Sequence, residues 1–523
     1  MLKIILRSAF TLILFTNSFS QLRPESYSLQ GDENYLSKIT ISNPASNSIT
    51  DIITIGDTVW LGTSRGVSVS FDRGETWRNF YRTTPFGEDG IAAIGYYKGM
   101  FWASTVTTVD APGGGTVPKG TGLKYTTNNG LTWTAVPQPV DNANDTTETL
   151  GVNVFRTIPI TVAEQNVTFD IAFTPGTVWI TSFASGLRKS TDMGQTWQRV
   201  ILPTDSLNSI SPADTLSGYN LCISPTDGNF CGEGWLNYRA FSVIAIDDTT
   251  LYVGTANGIN KSTDNGISWR KFTHQNQENS ISGNFIVALG YNKTNRTVWG
   301  STWRAEGSGE FYAISSSTDG GENWSNFFED ERVHNFGFKS SQVIAASDNG
   351  AFRTSNQGVT WVLPNSIVDD VSKLELLTTI FYSASSEGSD IWLGSNDGLV
   401  RLRESFGSFW SGEWKIYFAS LPLESANDTY CYPNPFSPRQ EILKIKYSTG
   451  GESKKVTIRI LDFSMNVVRT VIQNTDRIKT LDDSPDRWDG RDENGNLVPN
   501  GVYFYRIEFD SDNPVYGKII VLQ

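Results

Sequence analysis

Residues 190–197 read STDMGQTW, and closely related octets recur five more times along the chain. Each octet has Ser or Thr first, Asp or Asn third, Gly fifth, Ser, Thr or Asn seventh and Trp last. The Asp or Asn side chain can accept hydrogen bonds from the backbone of its own turn, and Gly adopts backbone angles that other residues avoid. The octet therefore predicts a turn followed by a strand that begins with Trp. The other copies occupy residues 70–77, 126–133, 262–269, 317–324 and 354–361.

A seventh, degenerate copy at residues 405–410 keeps only the spacing between Gly and Trp. The octets are unequally spaced, so one structural unit carries loops of different length. Most octets follow a second motif, such as VWLGT at residues 59–63, and an earlier apolar run, such as FSVIAI at residues 241–246. These short runs have no helical period. The pattern predicts four short β-strands in each repeat.

We interpret the third and last residues of the octets as structural. A buried Trp side chain removes a large apolar area from water, so one in each repeat would hold neighbouring sheets together. The residues assigned this structural role are Asp72, Trp77, Asn128, Trp133, Asp192, Trp197, Asp264, Trp269, Asp319, Trp324, Asn356 and Trp361.

The octet resembles the Asp-box, or BNR repeat, of sialidases, xyloglucanase-type glycosidases, sortilin-like receptors and photosystem-assembly-factor-like proteins. The resemblance covers residues 50–418 and implies an all-β fold, with a seven-bladed β-propeller of four-stranded blades over residues 21–418. It places the octet turns on the outer rim. A ligand-binding funnel is expected on the opposite face, built from the loops that follow the second and fourth strands. Activity is left open, because these families include enzymes, receptors and assembly factors.

The character of the chain changes after a polar linker, residues 419–429. Alternating apolar positions, as in VTIRI at residues 456–460, predict a small antiparallel β-sandwich over residues 430–523. YPNPF at residues 432–436 and NGVYFY at residues 500–505 resemble motifs of the Ig-like C-terminal domain of type IX secretion cargo, which is similar to the Ig-like part of the flagellar hook-capping protein.

That resemblance implies a sorting address read by the type IX secretion machinery, with the protein secreted or left on the outer surface of a Bacteroidetes/Chlorobi-type Gram-negative cell. A structural Ig-like domain without a targeting role is the alternative. The first twenty residues support export. Lys3 and Arg7 precede an apolar stretch at residues 9–15, and small residues precede Gln21, which together indicate a signal peptide, residues 1–20.

Export permits a disulfide, and Cys222 and Cys231 lie in one turn-rich stretch. We predict that they are bridged; two unpaired thiols are the alternative, and Cys431 is left unassigned.

Two His and three Cys cannot make a His-rich or Cys-rich metal site, and no cofactor is expected. The net charge of −13 disfavours nucleic acid and anionic lipid as partners. No segment beyond the signal peptide is long and apolar enough to span a membrane.

Three functions are compatible with these features. The first is a glycoside hydrolase, sialidase-like or active on β-glucans, with catalytic acids among Glu233, Glu306 and Glu310 in the funnel loops. The second is a non-catalytic binding module for a glycan or a surface protein, which we favour because no glycosidase motif is intact. The third is a structural spacer. Aromatic side chains can stack on a ligand, and charged side chains can pair with it. The candidate ligand-binding residues of these two kinds are Trp235, Tyr238, Trp303, Arg304 and Glu306.

Overall fold

The computed structural model describes residues 43–224, 231, 235–303, 309–371, 374–405, 407–419, 423, 425–439, 442–479, 485–510 and 513–523. The predicted signal peptide lies outside these residues. The regular structure of the described part is β, apart from one turn of 3-10 helix at Leu236–Tyr238.

The repeats form successive antiparallel sheets in which the strands are hydrogen-bonded in chain order. Since each octet lies between the third and fourth strands, the strand after it is the outermost one. The first sheet comprises β1 (Ile49–Ile55), β2 (Thr58–Thr63), β3 (Val67–Ser70) and β4 (Arg78–Phe80), and the second comprises β5 (Gly90–Tyr97), β6 (Met100–Asp110), β7 (Thr116–Thr126) and β8 (Thr134–Val136).

The third and fourth sheets are separated from their neighbours by two long insertions. Strands β9 (Thr147–Leu150) and β10 (Asn153–Thr157) belong to the first insertion, and β15 (Ser209–Ile210) and β16 (Cys222–Ile223) belong to the second. The third sheet comprises β11 (Thr168–Thr174), β12 (Thr177–Ser182), β13 (Gly186–Ser190) and β14 (Gln198–Arg199), and the fourth comprises β17 (Ala240–Ala245), β18 (Leu251–Thr255), β19 (Gly258–Ser262) and β20 (Trp269–Phe272).

Three further sheets complete the repeats. The sixth has three strands, and a single bridge between Arg353 and Val362 replaces its fourth. The strands are β21 (Phe285–Asn292), β22 (Thr297–Trp303), β23 (Ala313–Ser317) and β24 (Ser325–Phe327) in the fifth sheet, β25 (Val333–Lys339), β26 (Gln342–Ser347) and β27 (Gly350–Thr354) in the sixth, and β28 (Phe381–Glu387), β29 (Asp390–Ser395), β30 (Leu399–Glu404) and β31 (Gly412–Tyr417) in the seventh.

The first strand of each sheet lines the centre of a closed ring. Strands β1, β5, β11, β17, β21, β25 and β28 contact one another in this order, and β28 returns to contact β1. All four strands of the seventh sheet come from residues 381–417. The ring therefore closes by packing of the seventh sheet against the first. This arrangement is the predicted β-propeller, and we call its sheets blades.

The octet tryptophans pack against the preceding blade. Trp361 meets Trp299 edge to face, with ring centroids 6.3 Å apart, and Trp133 meets Trp60 in the same way at 6.2 Å. Trp60 and Trp299 come from the second sequence motif and are almost fully buried. The two motifs thus supply the two sides of one contact between neighbouring blades, so both recur together.

The octet turns have the hydrogen bonds that their sequence predicts. In the third blade, Asp192 Oδ1 accepts from the Thr196 N–H at 2.9 Å, and Asp192 Oδ2 accepts from the Thr196 hydroxyl at 2.6 Å. These hydrogen bonds lower the pKa of Asp192 to about 2. The Gly194 N–H donates to the Ser190 hydroxyl at 2.8 Å, and Gly194 has a φ of +82°. The Asp and Asn side chains of the octets are engaged in their own turns.

The chain after the propeller folds as a β-sandwich. One sheet contains β32 (Tyr430–Tyr432), β33 (Leu443–Lys446) and β36 (Asp486–Trp488), and the other contains β34 (Ser453–Leu461), β35 (Val467–Ile478), β37 (Gly501–Phe509) and β38 (Val515–Val521). Alternate residues of β34 and β37, among them Ile458 and Tyr505, face a common core with Phe436 and Trp488. The predicted sandwich is therefore present, and its core includes the Phe of YPNPF.

Candidate functional site

Every innermost strand of the propeller has a β-bulge near its first residue. In β1, for example, Ile49 pairs with Thr63 while Asp51 pairs with Gly62, so Thr50 is the extra residue. A bulge redirects a side chain relative to its sheet. Each of the seven extra residues lines the central channel, which has a volume of about 1600 Å³. They are Thr50, Ala92, Phe169, Phe241, Val287, His334 and Tyr382.

Aromatic rings from five successive blades form one continuous row, and four of its six rings belong to bulge residues. Successive centroids are 6.0, 4.7, 6.4, 6.3 and 5.4 Å apart. The row lies at the funnel end of the channel, because the innermost strands begin there. We call this row the aromatic arc; in order around the ring it consists of Phe169, Phe241, Phe285, Trp303, His334 and Tyr382.

Two arginines place positive charge beside the arc. The Arg332 guanidinium lies 5.4 Å from the centroid of Trp303 and 4.9 Å from that of Tyr312, and that of Arg239 lies 5.3 Å from that of Phe183. Both arginines are partly exposed. Guanidinium groups held over aromatic faces can still pair with an anionic or hydroxyl-rich ligand.

His334 is tied to an acid at the edge of the arc. Its Nε2 lies 2.7 Å from Asp348 Oδ1. Burial acts to raise the pKa of Asp348, but the hydrogen bond and charge of His334 outweigh it and leave that pKa lowered. The pair fixes the imidazole between Trp303 and Tyr382, so the arc is preorganised in this region.

Polar residues that follow two of the bulges connect innermost strands below the arc. Asp170 Oδ2 accepts from the Ser242 hydroxyl at 2.8 Å and from the Val243 N–H at 2.9 Å, both in the next blade. Asp51 Oδ1 accepts from its neighbour Ile52 N–H at 2.8 Å and from Asn335 Nδ2 at 3.3 Å. The two carboxylates thus stabilise the ring by binding across blades.

The pKa values of both carboxyl groups are raised. Burial, and after it the negative charge of Asp170, raises the pKa of Asp51 from 3.8 to about 7. Burial also raises the pKa of Asp170, against the hydrogen bonds it accepts. The channel therefore holds a carboxyl group that takes up a proton near neutral pH.

The residues predicted to bind ligand lie in different environments. Trp303 is in the aromatic arc, with 6% of its surface exposed. Trp235 and Tyr238 are also buried, but they belong to a core that the two insertions share with the third and fourth blades, where Trp235 meets Phe155 edge to face at 6.2 Å. Arg304 and Glu306 lie outside the described residues.

Of the acids proposed for catalysis, Glu310 is the one that lies among the described residues. Glu310 is 5% exposed and accepts hydrogen bonds from the Asn284 N–H at 3.1 Å and from Gln275 Nε2 at 3.0 Å. Its described contacts are those of a residue that holds two loops together. Glu233 lies outside the described residues. Within the part of the chain that is described, no group of three or more His, Cys, Asp or Glu side chains could hold a metal ion.

The two insertions form an accessory layer on the propeller. Strands β9, β10 and β16 make a small sheet, and β15 adds a fifth strand to the outer edge of the fourth blade. Cys222 and Cys231 form the predicted disulfide within the second insertion. Most of the insertion aromatics therefore pack the layer itself, while Asp205, Leu236 and Arg239 reach the channel.

Sequence reasoning missed most of the aromatic arc. The signal is present in the sequence: aligning the repeats on the second motif places one residue of each preceding apolar run at the bulge. That residue is Phe169 in TFD, Phe241 in AFS and Tyr382 in FYS. The bulge is a one-residue break in the alternation of side chains along the first strand. It can be detected only when the register with the second strand is known.

The fold and site define a β-propeller with an aromatic-lined channel, followed by a β-sandwich. No family model and no curated protein matches the chain. Among solved structures, it is similar to PorZ of Porphyromonas gingivalis, described as an essential bacterial surface component of the type-IX secretion system. The identity is 14% and the TM-score 0.35, over 91% of this chain and 66% of that one.

Two further solved structures are similar at the same level. YCF48 from Cyanidioschyzon merolae is 12% identical with a TM-score of 0.36, over 63% of this chain and 85% of that one. An ancestral GH74 enzyme is 12% identical with a TM-score of 0.48, over 92% of this chain and 63% of that one. The chain thus spans less than two thirds of the PorZ and GH74 chains. Likeness at this level gives no information on ligand or activity.

Proposed function

We propose that this protein is an exported, surface-associated binding module that holds a glycan in its funnel without cleaving it. The aromatic arc is the observation that carries the proposal. Rings that line a channel supply flat apolar area for sugar faces, and Arg239 and Arg332 supply charge and hydrogen-bond donors beside them. A surface-protein segment is the second class of ligand to be tested.

Replacing Tyr382 with alanine is expected to weaken binding at least tenfold, because the arc loses one of its partly buried rings. Trp303→Ala should weaken it as well. The measurement is titration of ligands first found on glycan arrays and on displayed peptides. Tyr219→Ala is the matched control, since Tyr219 is an aromatic residue of the second insertion with 46% of its surface exposed. Equal losses in the control and in Tyr382→Ala would contradict the proposal.

A glycoside hydrolase is the alternative, and Asp51 and Asp170 are the observation in its favour. A channel carboxyl group with a pKa of about 7 could donate a proton to a leaving group. Against it, both carboxylates already accept hydrogen bonds from the protein: Asp170 from the Val243 N–H of the next blade, and Asp51 from the Ile52 N–H of its own strand. Hydrolysis of fluorogenic sialosides or β-glucans by the wild type that disappears in Asp170→Asn would establish the alternative and overturn the non-catalytic proposal.

We propose, second, that the sandwich directs export through a type IX secretion pathway to the cell surface. The terminal motifs and the predicted signal peptide support this proposal. In the described residues, no helix combines the length and apolar character required to cross a bilayer.

Deleting residues 430–523 is expected to leave the protein in the periplasm of a bacterium that has this pathway. Fractionation and surface labelling of intact cells measure the outcome. The reciprocal fusion of residues 430–523 to a periplasmic carrier, behind the same signal peptide, should bring that carrier to the surface. Surface display of the deleted protein at the level of the full chain would refute the sorting role.

A further inference from the structure

A buried group of charges joins the sandwich to the propeller. Asp397 lies in the loop between β29 and β30, on the funnel face of the seventh blade. Its Oδ1 accepts from Lys444 Nζ at 2.6 Å, and its Oδ2 pairs with Nη2 of Arg487. The side chains of Asp397, Lys444 and Arg487 are 12, 10 and 3% exposed. We call these three residues the interdomain ion cluster.

Arg487 makes two further contacts with the propeller. Nη1 of Arg487 donates to the carbonyl oxygen of Glu375 at 3.2 Å, and its guanidinium lies 4.8 Å from the centroid of Phe418. A buried charge left without its partner is strongly unfavourable. Removing one member of the cluster by mutation would therefore weaken the docked arrangement, because its partners would stay buried without their counter-charge.

The connecting chain is fixed at both ends and accessible between them. The carbonyl oxygen of Ala419 accepts from the Tyr432 hydroxyl at 2.9 Å, and the Thr429 hydroxyl donates to the carbonyl oxygen of Lys446 at 2.8 Å. Leu423 is 5% exposed, whereas residues 425–428 are exposed. A protease can therefore reach residues 425–428 while the contacts on either side remain in place.

We propose that the sandwich stays bound to the propeller after the chain is cut at residues 425–428, and that the interdomain ion cluster strengthens this binding at least tenfold. Hydrolysis at this position adds one water molecule across a peptide bond and changes no atom of the cluster. Cutting the connection and releasing the sandwich are then separate events, because release also requires the contacts between the two domains to dissociate. This inference is independent of what the funnel binds.

The test uses the full chain with a specific protease site inserted after Ala426. After cleavage, the wild-type fragments are expected to elute together from a size-exclusion column at physiological salt. Asp397→Ala should separate them, with a Kd at least tenfold higher in sedimentation measurements. Asp57→Ala is the matched control, because Asp57 pairs with Arg73 in an exposed position of the first blade. The control fragments should remain together.

Separation of the cleaved wild-type fragments would overturn the proposal. So would an unchanged Kd in Asp397→Ala, because the affinity would then come from other contacts. Arg487→Met removes the charge from the sandwich side and makes the same test without altering the propeller. A tenfold or greater loss of affinity in both variants, with both domains retaining their separate unfolding transitions, would support it.

Discussion

Replacing Trp269 with alanine is expected to destabilise the propeller by about 3–5 kcal/mol, the usual cost of removing a large aromatic side chain from a core. Trp269 is the last residue of the fourth octet and is 2% exposed, in a cluster with Trp179 and Leu187 of the third blade. Its removal opens a cavity between the third and fourth blades, which pack against each other through this cluster. Calorimetry of the propeller transition measures the effect.

Ile267→Ala is the matched control for this prediction, since Ile267 belongs to the same octet and is 56% exposed. It should change stability by less than about 0.5 kcal/mol, as exposed substitutions usually do. If Trp269→Ala cost no more than Ile267→Ala, the octet tryptophans would not be the residues that hold the blades together.

The second large effect concerns pH. Because the pKa of Asp51 is raised in the folded protein from 3.8 to about 7, the folded state binds a proton more tightly than the unfolded state. The stabilisation that comes from this tighter proton binding is present below pH 4 and is lost as the pH rises from 4 to 7. We expect the free energy of unfolding to fall by about 2–4 kcal/mol over this range, because each unit by which a pKa is raised corresponds to at most about 1.4 kcal/mol.

Asp51→Asn removes this ionisation and keeps an oxygen that can accept from the Ile52 N–H. The variant should be more stable than the wild type at pH 8. Its free energy of unfolding should change between pH 4 and 7 by no more than half as much as that of the wild type. Urea unfolding at a series of pH values measures both. Asp192→Asn is the control: its pKa is lowered to about 2, so its ionisation is complete below this range. An unaltered slope in Asp51→Asn would contradict the assignment.

The fold could be predicted because its determinants are local and repeated. An octet whose Asp or Asn binds its own turn needs no distant residue to form, as the bonds between Asp192 and Thr196 illustrate. The same holds for the alternation that defines β34 and β37 of the sandwich. Six well-kept copies therefore indicated a ring of sheets before any contact was known.

The site was predicted poorly because it is not local. Trp303 is one of five candidate ligand-binding residues in the sequence, and it lines the channel as the last residue of β22, where it meets Phe285 and His334. Trp235 and Tyr238 are also aromatic, but they pack into the core that the insertions share with the third and fourth blades. Residue type alone cannot distinguish these environments.

The sequence by itself determined that this chain forms a propeller of octet-marked blades followed by a sandwich, because turn hydrogen bonds and strand alternation are set by neighbours along the chain. Which side chains meet at the centre follows from the packing of the blades. The bulges direct Phe169, Phe241 and Tyr382 into one channel, and closure of the ring brings Asn335 of the sixth blade to Asp51 of the first. Those encounters depend on the register and on the order of blades around the axis, which bring together residues far apart in the chain.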